Sequence, residues 1–120
     1  MHPVSKLFVL LLLMTIAMSS CDRNQIVIIC DSEDPITDLE WLNKEYLAIK
    51  DYPEINGIFA FKYDGQTIIE VQNSLYSSTN RSQFQCDGSL IDFQSDQTKF
   101  KDYLAHRKEI KKLFGTSIWH

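Results

Sequence analysis

Ile58-Phe59-Ala60-Phe61-Lys62-Tyr63-Asp64-Gly65-Gln66-Thr67-Ile68-Ile69-Glu70-Val71 is the stretch that decides the fold of this 120-residue chain. Two runs rich in β-branched and aromatic residues flank Asp-Gly, a dipeptide suited to a tight turn with positive φ at both positions, so the stretch reads as an antiparallel hairpin. A two-residue turn pairs Tyr63 with Gln66, Phe61 with Ile68 and Phe59 with Glu70 on one face, and Ala60 with Ile69 and Ile58 with Val71 on the other. Both faces are largely apolar, and each therefore needs a cover.

On the N-terminal side, Asp34 is placed as a helix N-cap, with Pro35 at the first helical position and Asp38 and Glu40 where negative charge suits the helix dipole. Ile36, Leu39, Leu42, Tyr46 and Ile49 then share one face, predicting a helix to about Lys50 that covers Ile58, Ala60, Ile69 and Val71. On the C-terminal side, Asp87-Gly88 lies between Gln83 to Cys86 and Ser89 to Phe93 and predicts a second hairpin, with Phe84, Cys86, Ile91 and Phe93 on one face. Gln97 to Phe114 has a helical pattern, but an unbroken helix would set Arg107 and Lys111 in its apolar stripe. A break near His106 is expected, with Gly115 as a C-cap. The expected fold is α+β: an N-terminal helix packed on a four-stranded antiparallel sheet of two β-hairpins, plus a C-terminal helical segment.

The first residues carry a different message. After Lys6, Leu7 to Met18 is an uncharged twelve-residue run, which as a helix reaches about 18 Å against a bilayer core of about 30 Å. It reads as the core of a signal peptide, not a membrane span. Met18-Ser19-Ser20-Cys21 comes directly after it and resembles the bacterial lipobox, in which two small residues precede a cysteine that takes a diacylglycerol on its sulfur. The competing reading is an ordinary secretory signal cut near Ser20. On the lipobox reading, residues 1–20 are a lipoprotein signal peptide, 21–33 a lipidated N-terminus and tether, and 34–120 one small domain. Fatty chains such as palmitate on Cys21 then hold the protein to a membrane of the bacterial cell envelope, the outer membrane for preference, with no transmembrane helix.

Charge and cysteines bound the function. Removing residues 1–20 removes Lys6 and no acid, leaving 11 Lys and Arg against 16 Asp and Glu, a balance that argues against nucleic acid as a partner. Residues 31–54 hold eight acids and two lysines, and residues 97–120 hold six cations and two acids, a polarity that usually marks solvated faces. With Cys21 assigned to lipid, Cys30 and Cys86 are left in a compartment that permits a disulfide. Pairing is open: it would close a long loop, but Cys30 falls in the expected tether and Cys86 suits a buried strand position.

Catalytic groups are sparse. His106 and His120 lack partners at metal-ligand spacing, and a zinc site needs three or four converging ligands. The acids at 33, 34, 38, 40, 64 and 87 are explained by helix starts and turns. No metal, cofactor or catalytic residue is assigned. Two interaction sites remain. Trp41 falls on the polar side of the first helix, where it either anchors a partner or is covered by residues 25–30. The strand face of Phe59, Phe61 and Tyr63 is an exposed aromatic patch unless the C-terminal helix or the chain end at Ile118 and Trp119 covers it.

Asp34-Pro35-Ile36-Thr37-Asp38-Leu39-Glu40-Trp41-Leu42, Tyr63-Asp64-Gly65-Gln66 and Cys86-Asp87-Gly88-Ser89 together resemble a family of small Bacteroidetes-type lipoproteins over residues 34–93. The shared motifs are structural, so the resemblance implies a lipoprotein and carries no functional residues. The expected function is a membrane-anchored, non-enzymatic binding module whose partner is another envelope protein or a glycan. The alternative is an inhibitor-like protein that blocks an envelope hydrolase with a hairpin tip.

Overall fold

The computed structural model describes residues 26–119; Cys21, the signal peptide at 1–20 and His120 lie outside the described residues. The hairpin at its centre joins β1 (Gly57–Tyr63) to β2 (Gln66–Gln72). Asp64 and Gly65 have φ of 49° and 76°, the turn geometry whose twist matches the flanking strands, and the register pairs Tyr63 with Gln66, Phe61 with Ile68 and Ile58 with Val71. The fold is α+β, built on a four-stranded antiparallel sheet in which this hairpin occupies the two central positions.

The outer strands are β3 (Gln83–Phe84), beside β2, and β4 (Lys108–Gly115), beside β1. Their origin corrects the expectation of a sheet made from two hairpins with a helical C-terminal segment. The helix of that segment, α3 (Gln97–His106), ends where Arg107 turns extended at φ −64° and ψ 145°. Beyond Arg107 the chain continues as an edge strand and not as more helix. As a strand, Lys108 to Gly115 brings Ile110, Leu113 and Phe114 to the core while lysines remain exposed; a helix would have buried cations. Two register shifts against β1 and the lysines at 108, 111 and 112 blunt this edge against pairing with another chain. Gly115 closes the strand at φ +73°, where a Cβ would lie 2.0 Å from the Asn56 carbonyl oxygen.

The second hairpin is reduced to a single bridge, in a register different from the one a two-residue turn dictates. Phe84 bridges Leu90, and the Ile91 N–H donates to the Gln83 carbonyl at 2.8 Å, so residues 85–89 form the connection. This one-residue shift exchanges the faces: Phe84 packs with the first core, whereas Ile91 and Phe93 belong to the second. The cause is local. Asp87 Oδ1 accepts from the Ser89 N–H at 2.9 Å, Gly88 takes φ +87°, and Cys86 is held by a disulfide, which together make a wider loop than Asp-Gly alone.

The N-terminal helix is two pieces, α1 (Pro35–Asp38) and α2 (Glu40–Ile49). Asp34 caps α1 by accepting from the Thr37 amide and hydroxyl, and Ser32 donates to Asp38 at 2.6 Å, which closes this turn on itself. Leu39 is extended at φ −92° and ψ 112°, so it can turn inward beside Ile36. Leu42 and Ile49 of α2 then pack with Ile58, Ala60, Ile69 and Val71 in the first core. Burying each such side chain contributes about 1.5–3 kcal/mol.

Residues 26–32 correct the tether at 21–33. Ile29 is buried in the first core, and Ile29 and Ser32 exchange backbone hydrogen bonds of 2.8 and 3.0 Å across a turn at Cys30 and Asp31, both with positive φ. Cys30 and Cys86 are joined in a disulfide that fastens this strap to the 85–89 loop. The folded body therefore begins before residue 34. By sequence, the β-branched run Ile26 to Ile29 is open between an edge strand and a sticky part of the tether; the core contact of Ile29 makes it a strap on the folded body.

Candidate functional site

Trp41 is half-buried and structurally employed. Its indole N–H donates to the Cys86 carbonyl at 2.9 Å, and its ring lies 5.2 Å from that of Phe84. Gly88 passes so close that a Cβ there would meet Trp41 Cγ at 2.7 Å. The cover is thus the 84–88 segment. The Leu-x-Trp-Leu and Cys-Asp-Gly motifs are two halves of one clasp, locked by the Cys30–Cys86 disulfide.

The aromatic strand face is covered as well. Phe59 and Phe61 are buried, so they are not available as interaction residues. Tyr103 of α3 stands edge-on to Phe61 and Tyr63 at 6.3 and 5.3 Å, and Ile68, Ile91, Phe93 and Tyr103 form the second core.

Inside this cover sits Glu70, whose side chain is 1% exposed. Its Oε1 accepts from Gln83 Nε2 at 2.8 Å, from the Tyr103 hydroxyl at 3.2 Å and from Arg107, while Oε2 accepts from Gln72 Nε2 at 2.7 Å. Every partner is a donor, which is the environment of an ionised carboxylate. The Arg107 guanidinium lies 4.1 Å from the Phe61 ring centroid and so covers that ring as well. Burial, then the negative charge of Glu70, holds the Tyr103 hydroxyl well above the ordinary tyrosine range. Gln72 extends the network to the chain end, its Oε1 accepting from the Ile118 and Trp119 amides at 2.7 and 3.2 Å. Glu70 is thus engaged on both oxygens by donors of its own network. The network binds α3, β2, β3 and the C-terminal tail together.

At the hairpin tip, Tyr63 is partly exposed and donates to Asp102 Oδ2 at 2.5 Å, while His106 Nδ1 lies 3.0 Å from Asp102 Oδ1. They border an open cleft of about 490 Å³ with Lys62, Asp64 and Lys108. The hydrogen bond to Asp102, followed by desolvation and the Asp102 charge, pushes the Tyr63 hydroxyl up to about 12. The raised value reflects the tie between the hairpin tip and α3.

An apolar groove lies elsewhere. Leu75 is 89% exposed, and with Tyr76 and Leu90, also exposed, it borders a groove of about 450 Å³ whose wall includes Phe84 and whose rim carries Arg81. The loop after β2 and the shifted register of the second hairpin bring these side chains together. In the sequence, the one sign of the groove is Leu75-Tyr76 within a serine-rich connection. Among the described residues, no three His, Cys, Asp or Glu side chains converge as metal ligands, and no helix is long and apolar enough to cross a membrane. No protein-family model, curated protein or solved structure matches the chain.

Proposed function

We propose that this chain is a lipid-anchored, non-catalytic interaction module of the bacterial cell envelope. On this reading it is tethered through Cys21 and binds another envelope protein through the Leu75, Tyr76, Phe84 and Leu90 groove. The observation that carries the reading is the 89% exposure of Leu75 beside the exposed Tyr76 and Leu90 on one concavity. Clustered exposed apolar side chains mark interaction surfaces, and Tyr76 and Arg81 are of the residue types enriched at binding hot spots. The Cys30–Cys86 disulfide supports export to an oxidising compartment, in keeping with the leader and the lipobox-like Met18-Ser19-Ser20-Cys21. Glu70, the buried carboxylate of the second core, supports a role other than catalysis, because its oxygens already accept from four donors of the fold.

The test is crosslinking and capture from envelope membranes with the full-length protein, comparing wild type with Leu75→Asp. Both residues are solvated, so the fold is retained. Loss of a central anchor of about 2 kcal/mol lowers recovery of the partner about thirtyfold. If wild type recovers no reproducible partner, or the variant recovers it equally well, the reading fails.

A further inference from the structure

We infer that the outer face of the N-terminal strap, Ile26 and Ile28, rests in the bilayer interface, so that the domain lies against its membrane instead of standing off it. This inference rests on the lipid-anchor reading of Cys21. Along residues 26–29 burial alternates: Val27 packs on the first core and Ile29 is buried within it, whereas Ile26 and Ile28 are 64% and 54% exposed. Ser or Thr at the outward positions would serve a solvated strap equally well. Two isoleucines there present apolar surface that no described residue covers.

Chain length names the occupant. Ile29 is fixed by its core contacts and by the disulfide at the next residue, and only eight residue steps separate it from Cys21. Fully extended, eight steps span about 26–29 Å, no more than the diameter of a small domain. Ile26 and Ile28 lie within that span, between the acylated sulfur and the folded body. Once the fatty chains enter the bilayer, these two side chains are the first apolar surface to reach it. The contact is apolar and not electrostatic, because the strap leads into the exposed acids Asp31, Glu33 and Asp34. An anionic lipid surface therefore weakens it. The disulfide takes on a second role: by fastening Cys30 to the 85–89 loop, it fixes which side of the domain faces the lipid.

The test uses the acylated full-length protein in phosphatidylethanolamine vesicles containing a phospholipid with a diazirine high on one acyl chain. After irradiation, mass spectrometry reads the acyl mass on Cys21 and the lipid label on residues 26–33. The expected result is acylated Cys21 with label on 26–33, falling at least about tenfold in Ile26→Asp/Ile28→Asp, which corresponds to about 1.4 kcal/mol. Label also declines as phosphatidylglycerol replaces phosphatidylethanolamine. Acylated protein whose 26–33 label is no higher than that of the exposed 62–66 hairpin tip, or is unchanged in the double variant, overturns the docking and leaves the anchor standing. Absence of acyl mass on Cys21 overturns both.

Discussion

Replacing Glu70 by Gln keeps the shape of a buried side chain and removes its charge, and the structure sets the cost. The carboxylate is 1% exposed and accepts from Arg107, Tyr103, Gln83 and Gln72. An amide turns one oxygen into a donor, so at least one N–H meets another N–H or O–H. Gln72 cannot rotate to accommodate it without withdrawing the oxygen that accepts from Ile118 and Trp119. Arg107, with its side chain 11% exposed, is left without a counter-charge. Breaking one partner of a buried pair costs about 3–5 kcal/mol, and the residual solvation of Arg107 places Glu70→Gln near about 3 kcal/mol. Replacing both charges by apolar residues of similar volume, as in Glu70→Met/Arg107→Met, leaves no orphan and costs less than the sum of Glu70→Met and Arg107→Met by about 2 kcal/mol or more. Urea unfolding of the four proteins in that cycle, with Glu70→Gln alongside, measures this. A Glu70→Gln penalty below about 1 kcal/mol, or Met substitutions whose effects simply add, would refute the claim that the carboxylate organises this face.

Two further outcomes are expected from the same geometry. The Cys30–Cys86 bridge, with a sequence separation of 56, stabilises the fold by about 4 kcal/mol in the chain-entropy model. Cys30→Ser/Cys86→Ser should lower the unfolding free energy accordingly and red-shift emission from Trp41, whose indole N–H is bonded to Cys86, whereas a loss under about 1 kcal/mol would show the strap to be dispensable. Spectrophotometric titration of the Tyr63 phenol should give a midpoint raised from the ordinary 10.0 to about 12, and Asp102→Asn should bring it back down. Because the folded state holds this proton more tightly, its contribution to stability is complete below pH 10 and disappears as pH rises towards 12. An unchanged midpoint in the variant would contradict the hydrogen bond.

The central hairpin was legible because every determinant of it is local. Asp64-Gly65 sets a two-residue turn, the turn sets the register, and alternation sets which side chains share a face. The helix start at Asp34-Pro35 and the break after His106 were legible for the same reason, as capping and charge placement act within a few residues. The candidate sites were read less well. Trp41, Phe59 and Phe61 are attractive anchors only while their covers are unknown, and those covers come from residues 84–88 and 97–107, distant in sequence.

By itself, then, the sequence determined the elements whose causes lie within a turn or two: the central hairpin and the acid-proline helix start. Tertiary structure alone decided the rest. It made Lys108 to Gly115 a strand because β1 had a free edge to satisfy, shifted the second hairpin by one residue where a disulfide and Trp41 hold its loop, and placed Ile29 in the core. It also put a carboxylate in an apolar face. On a strand, alternation tells where a side chain points, but the four donors that make Glu70 tolerable there arrive from β2, β3 and the residues around α3, and only folding brings them together.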